Sequence, residues 1–403
     1  MNIEHIVTFA IALFVLIVAS KPLGELLRIP EALVLLVLGA TTGALVISGL
    51  GIDTGLRAES FHDIVFFVFL PVLVFDAALH LPQRAVLDDA LVISYLAVLG
   101  VAITAVFAGY LIYVGIDHSS GFPFIAALLV GTLLAATDPV SVVGQLKTLN
   151  APERLRVILE GESLFNDATA IALFSVLLAI ALEPQVGFSF SAAATSLIVN
   201  FAGGTAVGIV IGLAGCFVLR HIDDEAVDAV TSLAIAYGSF VVAEAALHVS
   251  GILAVTAAGI TVARLAEAQV KGFSGVWRLL TRLSDGSIFL LMGLVVGWYM
   301  FEQRWVAMLI AIGAVTIARL VITVGGISLL NLFQSQPLTM NYQAVLVWGG
   351  LRGSVSLALA LSIPVELPYW FTIQCMAFGV VLFTMLVQAP TLPLLLRRTG
   401  LTQ

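Results

Sequence analysis

Apolar runs of about 18 residues or more recur from one end of this chain to the other, the length needed to span the hydrocarbon of a bilayer. They lack the alternating polar faces that a soluble core of 403 residues would show. Charged residues make up only 10% of the chain, against about a quarter in a soluble domain. Soluble folds are excluded, and the chain reads as an all-α polytopic membrane protein. The N-terminus, MNIEHIVTFAIALFVLIVAS, has a charge-poor start and no small-residue cleavage site, so it reads as a retained first span and not a signal peptide.

Gly, Pro and charged punctuation divides the chain into thirteen spans, near residues 6–20, 31–50, 63–81, 90–114, 122–146, 156–182, 192–219, 228–247, 251–263, 276–299, 305–333, 341–363 and 370–396. With the N-terminus outside, thirteen Lys and Arg fall on the cytoplasmic side and two, Arg57 and Arg304, on the other. Arg319 and Arg352 lie within spans. An early miscount would destroy that bias, so it supports both the number and a cytoplasmic C-terminus. The chain ends soon after the last span, so regulation through a long cytoplasmic tail is not expected. The net charge of −8 says little about partners, and no basic stripe points to nucleic acid. Cys216 and Cys375 fall inside apolar runs and read as small buried hydrophobes, with neither a disulfide framework nor a zinc site.

An odd number of spans accommodates two inverted six-helix repeats joined by one extra helix, an arrangement common among secondary transporters. The fifth span then corresponds to the twelfth, and both carry helix breakers at mid-depth. The fifth reads LLVGTLLAATDPVSVVGQL, with Asp138 before Pro139; the twelfth reads VLVWGGLRGSVSLALAL, with Gly349, Gly350 and Gly353 around Arg352. Irregular backbone survives at that depth only when buried in protein or lining a wet cavity, and matching breaks in two halves point to a substrate site. Pairs such as Gly203-Gly204 and Gly325-Gly326 read as places of close helix packing.

Ionisable residues within spans are costly, and each needs a partner or a function. Here they are Asp76, Asp138, Glu162, Asp167, Glu244, Asp285, Arg319 and Arg352. In the sixth span, LEGESLFNDATAIALF places Ser163, Asn166 and Asp167 on one helical face with Glu162 at its border. With Asp138 and the carbonyls released beside Pro139, this makes an oxygen-rich, negatively charged site suited to a hard monovalent cation or to protons. Glu244 reads as a hydrogen-bonded or hydrated carboxyl, with pH sensing as the alternative.

The stretches ATDPVSV, GESLFNDATA, AEAALHVSGILAVTAAGI and WGGLRGSVSLALAL resemble the signatures of the monovalent cation/proton antiporter family of the Na⁺/H⁺ exchanger and NhaP type, over residues from about 30 to 395. The resemblance implies thirteen helices, two of them broken and crossing, a homodimer in a bacterial inner membrane, and elevator-like exchange of Na⁺ or Li⁺ for H⁺ without a cofactor. It divides the chain into residues 1–82 and 221–303 as scaffold and dimer helices, 83–182 and 304–403 as ion-binding core, and 183–220 as a linker helix. Asp167 would take cation or proton in turn, with Asp138, Ser163, the Thr137 carbonyl and Asp76 near the ion path. Asn166 stands where an electrogenic branch has a second aspartate, so the expected exchange is one for one. Glu162 and Arg319 are expected to form a buried architectural ion pair, and Arg352 to sit near negative helix ends at the second break. Relatives often have an acidic residue at the place of Arg278 and asparagine near Asp285, so no proton-sensing role is carried over there. K⁺/H⁺ exchange is the runner-up. A channel would need a continuous pore, and an intramembrane hydrolase built on Ser163 or on the Asp138 and Asp167 pair lacks a histidine base and does not explain the two breaks.

Overall fold

The computed structural model describes residues 3–27, 29–45, 64–116, 121–138, 140–182, 190–222, 224–295, 298–334 and 336–402, and among them all regular structure is helical. The first half comprises α1 (Ile3–Leu27), α2 (Glu31–Leu45), α3 (Ile64–His80), the short α4 (Gln83–Asp88), α5 (Ala90–Gly115), α6 (Phe124–Leu133), α7 (Val140–Thr148) and α8 (Glu153–Leu182). Then follow α9 (Phe190–His221), α10 (Glu225–Ala246), α11 (Gly251–Leu265), α12 (Glu267–Val295) and α13 (Trp298–Leu320, carried on to Leu330). The chain closes with α14 (Met340–Trp348), α15 (Ser354–Leu361) and α16 (Trp370–Arg398). Pro139, Arg57 and the far end of the second sequence run lie outside the described residues.

Among the described residues, seven helices are long and apolar enough to cross a membrane, lying within α1, α5, α8, α9, α10, α13 and α16. Four more, α2, α3, α6 and α11, are apolar but shorter. The other runs differ for physical reasons: α12 is long but carries Lys271, Arg278, Arg282 and Asp285, and the α14–α15 run is cut in two at its glycines. Large apolar side chains such as Val18, Val210 and Phe217 stand exposed on these helices, the surface expected against lipid tails.

Small residues set the tightest contacts. On α9, Gly204, Gly208 and Gly212 recur every four residues, and a Cβ on any of them would press on Ser250, just before α11, or on Ala254 or Ala258 within it. Gly203 lies against Val249, whereas in the other pair Gly326 is a packing site, under the ring of Tyr95, and a Cβ at Gly325 would meet nothing within 4 Å among the described residues. Glu244 accepts from the Gly251 N–H at 2.8 Å and so caps α11 beside Ser250, whose Oγ accepts from Leu253 N–H at 3.3 Å.

Candidate functional site

α6 stops at Leu133 and the backbone stays irregular through residues 136–138 before α7 begins. α14 stops at Trp348, and residues 349–353 are likewise irregular up to α15. The two breaks meet: Asp138 N–H donates to Leu351 O at 2.8 Å. Each free carboxyl end of a half-helix is met by an arginine. Arg352 Nη1 donates to Ala135 O at 2.7 Å and Ala136 O at 3.0 Å, beyond the end of α6. Arg319 Nη2 donates at 2.9 Å to Leu346 O, in the last turn of α14. A cation at that place satisfies orphan carbonyls and the negative end of the helix dipole together. For Arg352 this changes the expectation: the helix end it serves belongs to the first broken span, across the crossing from its own.

Arg319 also pairs with Glu162 of α8, Nη1 to Oε1 and Nη2 to Oε2, the latter at 2.9 Å. Glu162 is 1% exposed, so two charges are withdrawn from solvent and each oxygen is matched by a donor.

Four residues later, Asn166 clamps the first break. Its Nδ2 donates to Thr137 Oγ1 at 2.7 Å while Thr137 N–H donates to its Oδ1 at 3.3 Å. Ser163 Oγ donates to Thr137 O, and Ser356 Oγ donates to Ala136 O at 3.3 Å. Gly353 lies directly under Asp138: a Cβ there would overlap the carboxylate.

Thr137, Asp138, Ser163, Asp167 and residues of the second break form the floor of a cavity of about 560 Å³ that Asp76 of α3 and Thr281 and Asp285 of α12 also line. Asp167 Oδ1 is buried and has no hydrogen-bond partner among the described residues. Asp76 Oδ2 accepts from Thr281 Oγ1 at 2.8 Å, and its Oδ1 lies 3.1 Å from His80 Nδ1. His80, Lys147 and Glu153, all exposed, also line the cavity, so it forms a funnel from one surface down to the buried floor. Thus Asp167, Asp138, Ser163, Thr137 and Asp76 line one space, whereas Glu162, Arg319, Asn166 and Arg352 stand behind it as framework. Thr281 and His80 were not singled out in the sequence. His80 had a signal, four residues after Asp76 on one helix; Thr281 had none, because its meeting with Asp76 depends on α3 lying against α12. The arrangement offers carboxylate, hydroxyl and carbonyl oxygens to a small hard cation.

A family profile described as sodium/hydrogen exchanger, transmembrane, matches residues 9–398. The chain belongs to the sodium/hydrogen exchanger family. Within that family it is 35% identical over 369 residues to the Na⁺/H⁺ antiporter ApNhaP of Aphanothece halophytica, spanning 89% of this chain and 69% of that protein. It is 33% identical over 353 residues to the Na⁺/H⁺ antiporter NhaP of Pseudomonas aeruginosa, spanning 85% and 82%. The sodium proton antiporter MjNhaP1 of Methanocaldococcus jannaschii, solved at pH 8, has the same fold: TM-score 0.81 at 20% identity, covering 98% of this exchanger chain and 99% of the archaeal one.

Proposed function

We propose that this exchanger is a secondary antiporter that moves Na⁺, or Li⁺, in one direction and H⁺ in the other by competition at Asp167. The observation that carries the reading is the buried Asp167 Oδ1, without a hydrogen-bond partner among the described residues, on the floor of a funnel shared with Asp138, Ser163 and Thr137. A carboxylate left open among oxygen ligands can take a cation or a proton but not both, and exchange follows from that exclusion without a separate coupling device. Family membership and the named activities of the relatives support the choice of ions.

Exchange is one for one in this reading, because Asn166 spends both ends of its amide on Thr137 and contributes no titratable charge. The protein sits in a bacterial plasma membrane as a homodimer of thirteen-helix chains, N-terminus outside, each with two inverted repeats. Residues 83–182 and 304–403 form the moving core, 1–82 and 221–303 the scaffold, and 183–220 the linker. The funnel mouth then faces the cytoplasm, the side to which the basic residues are biased.

The test is ion-driven proton movement in everted vesicles, with Na⁺, Li⁺ and K⁺ compared side by side. Asp167→Asn is expected to abolish exchange while the protein remains monodisperse. Wild-type Na⁺-driven proton movement in that variant would remove the assignment, and faster exchange with K⁺ than with Na⁺ would replace the proposed cargo.

A further inference from the structure

One face of α8 forms the funnel wall from rim to floor. Glu153, Glu160 and Asp167 recur every seven residues, with Arg156 and Ser163 between them, and all five line the cavity. Seven residues are two helical turns, so Glu160 lies about 10 Å above Asp167 along the helix axis. Its position is intermediate in burial as well: Glu153 is exposed, the Glu160 side chain is 25% exposed, and Ser163 beside the floor is 1% exposed. Across the funnel, α7 presents Lys147, whose Nζ lies 3.8 Å from Glu160 Oε1 and whose side chain is 61% exposed.

An ammonium held at 3.8 Å beside a carboxylate in a funnel is a long pair and adds little to stability, about 0–1 kcal/mol for exposed pairs. Its placement has a different consequence. Any cation that reaches Asp167 through this opening passes Glu160, and Lys147 occupies the same carboxylate from the other wall. Low-dielectric walls with charge at the neck concentrate or repel ions according to sign. Resting on the reading that this funnel is the cation's route, the geometry points to Glu160 as a waypoint that receives the incoming monovalent cation before the Asp138 and Asp167 floor, and to Lys147 as the positioning residue that competes for it. Arg156, next to Glu160 on the same face, adds to the positive charge that an arriving cation must displace.

The pair makes an unusual test possible, because its two members should act in opposite directions. With the funnel mouth presented to the bath in everted vesicles, at low ionic strength and fixed pH, Glu160→Gln is expected to raise the KM for Na⁺ about threefold to tenfold, and Lys147→Gln to lower it by a similar factor. The maximal rate at saturating Na⁺ stays within about twofold in both, and added choline chloride shrinks both effects because screening removes long-range attraction. Lys147 acts through Glu160, so the double variant has the KM of Glu160→Gln alone. A merely structural pair predicts the same direction for both single variants, or no change; either result, with Asp167→Asn still inactive, overturns the waypoint and leaves the exchange site standing. An active Asp167→Asn would instead overturn the exchange site itself. If Glu160→Gln does not fold, Glu160→Asp, which keeps the charge, is expected to hold the wild-type KM within about twofold, and an unchanged KM in Lys147→Gln alone then overturns the proposal.

Discussion

Gly353 is where one added methyl group disturbs the most chemistry. A Cβ there would overlap the Asp138 carboxylate, and the surroundings are already full: Ser356 and Arg352 hold the facing carbonyls. Gly353→Ala is therefore expected to cost about 1–3 kcal/mol by overpacking and, by displacing Asp138, to slow exchange at least about tenfold in vesicle flux. Gly325→Ala is the matched control, because among the described residues nothing lies within 4 Å of the added atom; equal losses in the two variants would remove the steric account. At this scale the sequence was legible wherever neighbours along one helix carry the signal. Ser163, Asn166 and Asp167 share a face by spacing alone. The destination of Arg352 was not legible, because Ala135 and Ala136 reach it only when the two breaks cross.

Between elements, the joint that matters most is Glu162 on α8 with Arg319 on α13 and Leu346 O on α14. Removing either charge strands the other in a dry interior, at about 3–5 kcal/mol, whereas removing both strands neither. A double-mutant cycle with Glu162→Gln and Arg319→Gln, followed by thermal unfolding in detergent, is expected to show a coupling of about 2–3 kcal/mol. Arg319→Gln should be the more damaging single change, since it also frees the Leu346 carbonyl at the end of α14. Additive effects would show that the pair does not tie the helices. The breaks themselves were legible from Gly and Pro in apolar runs, since both residue types act on the local backbone. The wall that α12 contributes was not, because Thr281 touches Asp76 across 205 positions of chain.

For the whole molecule, sidedness and stoichiometry are the properties to measure. Cys216 and Cys375 are both buried, so an introduced thiol stands alone on the surface. Glu153→Cys, at the funnel rim, is expected to react with a membrane-impermeant maleimide from the cytoplasmic face only; labelling from outside would invert the orientation. A one-for-one cycle moves no net charge, while one extra charge would involve about 2.3 kcal/mol per 100 mV. Collapsing the voltage with a K⁺ ionophore should then leave the exchange rate within about twofold, and a larger change would refute the stoichiometry. Hydropathy carried the membrane class, yet among the described residues seven helices reach full spanning length by themselves, because breaks, short helices and the charges of α12 make sense only within the assembled bundle. The bond from Asp138 N–H to Leu351 O stitches the crossing together through its own main chain. In the proposed exchange cycle, whatever shift exposes the floor to the opposite compartment is therefore expected to move the two breaks as one piece.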